Sequence, residues 1–136
     1  MKGDKRMEKN LILANKIMEE ANCFGNWGFE IKTEGSLINV ESVRKVKMDE
    51  QDLHIVYQIE DKFVKFIATL EPCEFDRQKV IRNLEEMDAP FTVYGTEGEM
   101  LMLAVAIPYQ EFVSHTALFI RIIMPNLIET LNNLQK

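Results

Sequence analysis

Ala117-Leu118-Phe119-Ile120-Arg121-Ile122-Ile123-Met124 carries one charge in eight residues, inside a helical pattern that runs from Ser114 to Leu134. Phe119, Ile120, Ile123, Leu127, Leu131 and Leu134 form one apolar stripe at helical spacing. Leu118, Ile122 and Ile128 form a second, turned by roughly one third of a revolution. An isolated small domain has little reason to leave both stripes in water. One is expected on a sheet, and the other in a deeper core or in a seam with a second copy of the chain. Pro125 sits inside the pattern, where it removes a hydrogen bond to the Arg121 carbonyl, so the spacing predicts a kink there and not a stop. Ser114 is expected to be the N-cap.

Upstream of that helix the period changes from 3.6 to 2. Met100 to Ile107 is apolar on both faces and ends at Pro108, which predicts a central strand or one covered on its second face. Its hairpin partner is Phe91-Thr92-Val93-Tyr94, with Gly95-Thr96-Glu97-Gly98 at the tip. A helix precedes it, starting at Pro72, flanked by Glu71, Glu74 and Asp76, buried through Phe75, Val80, Ile81, Leu84 and Met87, and ending near Asp88. Before it stands a clear hairpin: Leu53, Ile55, Tyr57 and Ile59 share a face, Glu60-Asp61-Lys62 turns, and Phe63 to Leu70 returns. An earlier pair joins Trp27–Thr33 to Leu37–Val40 through Thr33-Glu34-Gly35-Ser36, while residues 44 to 52 read as a loop or a strand extension. The first helix is marked by Leu11, Ala14, Ile17, Met18 and Ala21 and stops at Asn22 and Gly25, after a polar segment, residues 1 to 6, expected to fray. The order is α-ββ-ββ-α-ββ-α. It predicts a single α+β domain over residues 1–136, an antiparallel sheet with helices packed on it.

Composition narrows the function classes. Hydrophobic residues make up 46% and charged residues 28%, the balance of a globular chain. A net charge of −6 speaks against binding nucleic acid, which calls for a basic face. Arg44, Lys45 and Lys47 lie beside Met48-Asp49-Glu50 and are expected in a solvated loop. No apolar run is long enough to span a bilayer, and no leader-like apolar region follows the N-terminus, so a cytoplasmic protein without membrane contact is expected. Cys23 and Cys73 lie fifty residues apart, with neither a Cys-x-x-Cys pair nor a histidine at ligand spacing, so no zinc site is expected. No cofactor motif is present, and Glu85, Glu86, Asp88, Glu97 and Glu99 lack the spacing of a Ca²⁺ loop and are expected to be solvated.

Residues that could carry chemistry have simpler explanations. His54 is expected as an exposed or hydrogen-bonded sheet histidine. Ser114-His115 resembles half of a nucleophile–base pair, but neighbours on a helix point about 100° apart. Cys73 falls in the expected first turn of a helix, which would lower its pKa, among carboxylates that would raise it. A catalytic role is not expected, nor a metal or cofactor. The binding candidates are Met100 and Met102, on one face of a strand that continues with Ala104 and Ala106. That gradient from large to small could form a shallow groove lined by adaptable thioethers, with ordinary packing under a helix as the plainer expectation. Leu118 and Ile122 are the candidates for a dimer seam.

The stretch from Val80 to Leu134, about 55 residues, resembles the YbjN family, which belongs with the type III secretion chaperone-like fold. The likeness rests on Leu84-Glu85-Glu86-Met87, Phe91-Thr92-Val93-Tyr94, the acidic glycine tip, the long apolar strand closing at Ile107-Pro108, and the helix after Ser114. It implies a small, often dimeric domain that binds an extended segment of another protein without chemistry. This chain differs in having four strands before the second helix where the secretion chaperones have three. The expected function is a non-catalytic protein-binding or chaperone-like module. It would be homodimeric, acting through apolar sheet and helix surface, with an exposed strand edge as a further route for an extended segment. The alternative is a small-molecule-binding or regulatory domain with an apolar pocket under the last helix.

Overall fold

Side chains alternate across a strand, so a chain that places apolar residues at every second position builds a sheet with one wet and one dry face. In the computed structural model, which describes residues 2–46 and 51–134, six strands do this. They are β1 (Glu30–Glu34), β2 (Leu37–Val46), β3 (Gln51–Ile59), β4 (Phe63–Glu71), β5 (Thr92–Thr96) and β6 (Met100–Pro108). All neighbours are antiparallel, in the order β1-β2-β3-β4-β6-β5. The strand read as apolar on both faces, β6, lies inside the sheet, between β4 and β5.

The dry face is set by register. Val40, Tyr57, Phe66 and Val105 fall in one cross-strand row, and Ser42, Ile55, Ala68 and Leu103 in the next. Helices α1 (Lys2–Asn22), α2 (Arg77–Met87) and α4 (Thr116–Leu134) close over these rows, burying Ala14, Ile17, Leu84, Ile120, Ile123, Met124 and Leu127. A run of rings crosses the core, Phe29 to Tyr57 at 6.0 Å, Tyr57 to Phe66 at 5.0 Å and Phe66 to Phe91 at 5.5 Å between centroids.

Several local expectations are corrected. Helix α1 begins at Lys2, and Arg6 in it pairs with Asp61 at 3.0 Å. Trp27, Gly28 and Phe29 alternate like a strand but lie outside it. Gly28 turns at φ +67°, the Phe29 amide donates to Asn22 Oδ1 at 3.0 Å, and the Trp27 indole donates to the Phe24 carbonyl. Residues 44 to 46 extend β2, the strand extension expected as one of two readings there, and the exposed Arg44 has its guanidinium 4.6 Å from the centre of the Trp27 ring, on a strand and not in a loop. Lys47 and Met48-Asp49-Glu50 lie outside the described residues.

The second helix starts at Arg77 and not at Pro72. Asp76 decides this, because its carboxylate accepts from the Gln78 and Lys79 amides as an N-cap. The closing helix comes in two pieces, α3 (Tyr109–Ser114) and α4, parted at His115. Ser114 is the last residue of α3, not an N-cap, and its hydroxyl donates back to the Gln110 carbonyl at 2.8 Å. Helix α4 continues past Pro125 to Leu134, since the apolar stripe on its far side is already committed to the core.

Candidate functional site

The wet face of the sheet carries the residues of interest. One row across it reads Val43, His54, Thr69, Met102 and Tyr94, and the next Glu41, Val56, Ile67, Ala104 and Thr92. Val43 is 64% exposed, Tyr94 51% and Phe63 41%, while Met100, Met102, Val56 and Ile67 are half-buried by their neighbours in the sheet alone. Met100 and Met102 therefore lie on an open sheet face and not under a helix, which corrects the expectation of ordinary core packing. The descent from Met100 and Met102 to Ala104 and Ala106 lowers the surface along β6.

Charge gathers toward two corners of that face: around Glu41 on β2, and at Lys65, which lies opposite Ala106 and pairs with Glu60 at 2.9 Å. Glu41 accepts from Lys32 at 2.8 Å and lies 3.4 Å from His54 Nε2. The Lys32 hydrogen bond, helped by His54, holds the Glu41 carboxyl below its ordinary pKa, and Lys32 is raised in turn. His54 thus has a carboxylate partner on the sheet, as expected, and Thr69 opposite it on β4.

Both sheet edges are blunted. β1 is five residues long and carries Glu30, Lys32 and Glu34 on one side. At β5 the Arg77 guanidinium donates to the Val93 and Gly95 carbonyls, which point off the edge, and stacks 5.6 Å from the Phe75 ring. The Arg77 amide also donates to Glu97 Oε1. The pattern of residues 72 to 81 gave Arg77 no special standing. Its position directly after an N-cap aspartate is the one signal that could have marked it.

Leu118 and Ile122 stand on the outward side of α4, 56% and 40% exposed, whereas Ile128 packs against the core. The second stripe is therefore surface and not deeper core. Since the helices lie on the dry side of the sheet, this pair and the Met100–Met102 face occupy opposite layers. The methionines do not form one cluster either, because Met124 is fully buried and Met87, the last residue of α2, packs against the core.

Among the described residues no group of three or more His, Cys, Asp or Glu is arranged to hold a metal ion, and no helix is long and apolar enough to cross a membrane. Cys73 is buried in the segment before α2, which corrects its expected place in a first helical turn, and burial pushes its thiol pKa up. Cys23 is exposed, and both thiols are free. On the sheet side of α4, Ile120, Ile123, Met124 and Leu127 are buried. An open cleft of about 450 Å³ lies elsewhere, between the end of α2 and β5. No family model, curated protein or solved structure matches this chain.

Proposed function

We propose that this chain is a non-catalytic, chaperone-like protein-binding module that works in the cytoplasm as a homodimer. The observation that carries this reading is the uncovered face of a six-stranded sheet, with Met102, Ala104, Ile67 and Val56 at its centre. Apolar side chains on the wet side of a sheet cost solubility, and half-buried methionines adapt to more than one partner. The resemblance to the YbjN family and the secretion chaperone-like fold points the same way. The opposed layers divide the work: Leu118 and Ile122 on α4 meet a second copy, and the sheet face takes a segment of the client. Because Arg77 and the charges of β1 guard the edges, the client lies across the face and does not extend the sheet.

Two variants test both halves. Leu118→Asp is expected to halve the molar mass measured by sedimentation equilibrium and to leave client binding in place. Met102→Glu is expected to keep the mass and to abolish suppression of aggregation of a reduced, carboxymethylated model protein. A wild-type chain that sediments as a monomer removes the dimer, and suppression indifferent to Met102→Glu removes the client face.

A further inference from the structure

The seam between α2 and β5 has two ends of opposite character. At one end the chain supplies its own cation: Arg77 lies along β5, its fork on two carbonyls and its flat face near Phe75. At the other end Ile81, Leu84, Phe91 and Val93 floor the 450 Å³ cleft, with Glu85 and Asp88 among the residues that line it. Leu84 and Phe91 are buried, while Glu85 and Asp88 are exposed.

Those two acids stand where a helix tolerates them least. A helix C-terminus carries partial negative charge and favours Lys or Arg nearby. The last turn of α2 holds no basic residue, and Glu85, Glu86 and Asp88 gather there instead. Arg82, the nearest cation before that turn, is bonded back to the Gln78 carbonyl. Asp88 also takes a left-handed backbone conformation, φ 55°, which Asn adopts as readily as Asp. Nothing in the helix cap therefore demands these carboxylates.

We infer that this cleft docks a basic segment of a partner protein, one Arg or Lys side chain between apolar neighbours. Its cation would face Glu85 and Asp88, and its apolar side chains would rest on Ile81 and Val93. The charge complements the acidic lining, and a cleft of this volume is of the size that takes a few side chains. The inference rests on the protein-binding reading but uses a different surface from the open sheet face, so either can fail alone.

A Gly/Ser peptide carrying Leu-Arg-Leu at its centre, labelled for fluorescence anisotropy, is the probe, with Leu-Glu-Leu as its control. The arginine peptide is expected to bind at least about tenfold more tightly than the control. The double variant Glu85→Gln/Asp88→Asn is expected to lose about tenfold in affinity while still suppressing client aggregation through the sheet face. Amide shifts on titration should centre on Ile81 and Val93, and spermidine, a cation without apolar flanks, should compete only weakly. The same double variant should melt about 2–8 °C higher, because it relieves the helix end. No saturable binding up to millimolar peptide, equal binding of the glutamate control, unchanged affinity in the double variant, shifts centred on Met102, or a lowered melting temperature would each overturn the inference.

Discussion

Tyr57 shows how much the environment of one side chain decides. Its alternation with Leu53, Ile55 and Ile59 sends it into the core, where it is fully buried and its hydroxyl has no hydrogen-bond partner among the described residues. An orphaned hydroxyl costs about 1–3 kcal/mol, so Tyr57→Phe, which keeps the ring contacts to Phe29 and Phe66, should raise the free energy of unfolding by about 1 kcal/mol in urea titration. Burial also pushes the Tyr57 pKa up from 10.0. Below pH 10 both folded and unfolded tyrosine are neutral. Above it only the unfolded form ionises, so the wild type should lose about 1.4 kcal/mol per pH unit more than the Tyr57→Phe variant. A steeper alkaline loss in the variant would contradict this. The two cysteines divide in the same way. Cys23 should react with a thiol reagent in the native protein and Cys73 only after denaturant is added, giving one and then two thiols per chain.

At the scale of elements, α2 braces the β5–β6 hairpin from outside its own ladder, through Arg77. Arg77→Ala strips two outward carbonyls of their donor and should cost about 2–3 kcal/mol, with increased self-association through the bared edge visible by light scattering. Arg77→Lys should recover less than half of that loss, since a single ammonium cannot bridge two carbonyls as a planar fork does. The hairpin also leans on Gly95, at φ +106°, where an added Cβ would fall 2.1 Å from the Met100 carbonyl oxygen. Gly95→Ala should therefore cost upwards of about 2 kcal/mol. Gly35→Ala, at φ +60° with open space around it, should cost about 1 kcal/mol. Equal melting temperatures for the two variants would show that the contact at Gly95 relaxes.

At the scale of the whole molecule, stacking every helix on one side of a six-stranded sheet leaves two apolar surfaces facing opposite ways. Substitutions on them share no partners, so the effects of Leu118→Asp and Met102→Glu on the stability of the monomer should add to within about 0.5 kcal/mol when measured by urea midpoint. Coupling beyond that would mean the two layers communicate through β6 and the core beneath α4.

Periodicity alone determined the α+β class, the order of strands and helices and the β3–β4 hairpin, because each depends on which neighbours along the chain share a face; for β6 it left a central strand or a covered second face, and the sheet order chose the first. The apolar excess of the closing helix was also legible, as were Met100 and Met102 on one side of a strand. What periodicity could not contain is which of two apolar faces another element covers. Trp27 and Phe29 alternate like strand residues, yet a left-handed glycine and the Asn22 side chain take them out of the ladder. Pro72 looks like a helix start, yet Asp76 holds the cap. The guard that Arg77 sets on β5, the separation of Leu118 from Met102, and the cleft at the end of α2 were decided only by tertiary structure. Each joins residues from different elements, and contact across the fold leaves no period in the sequence.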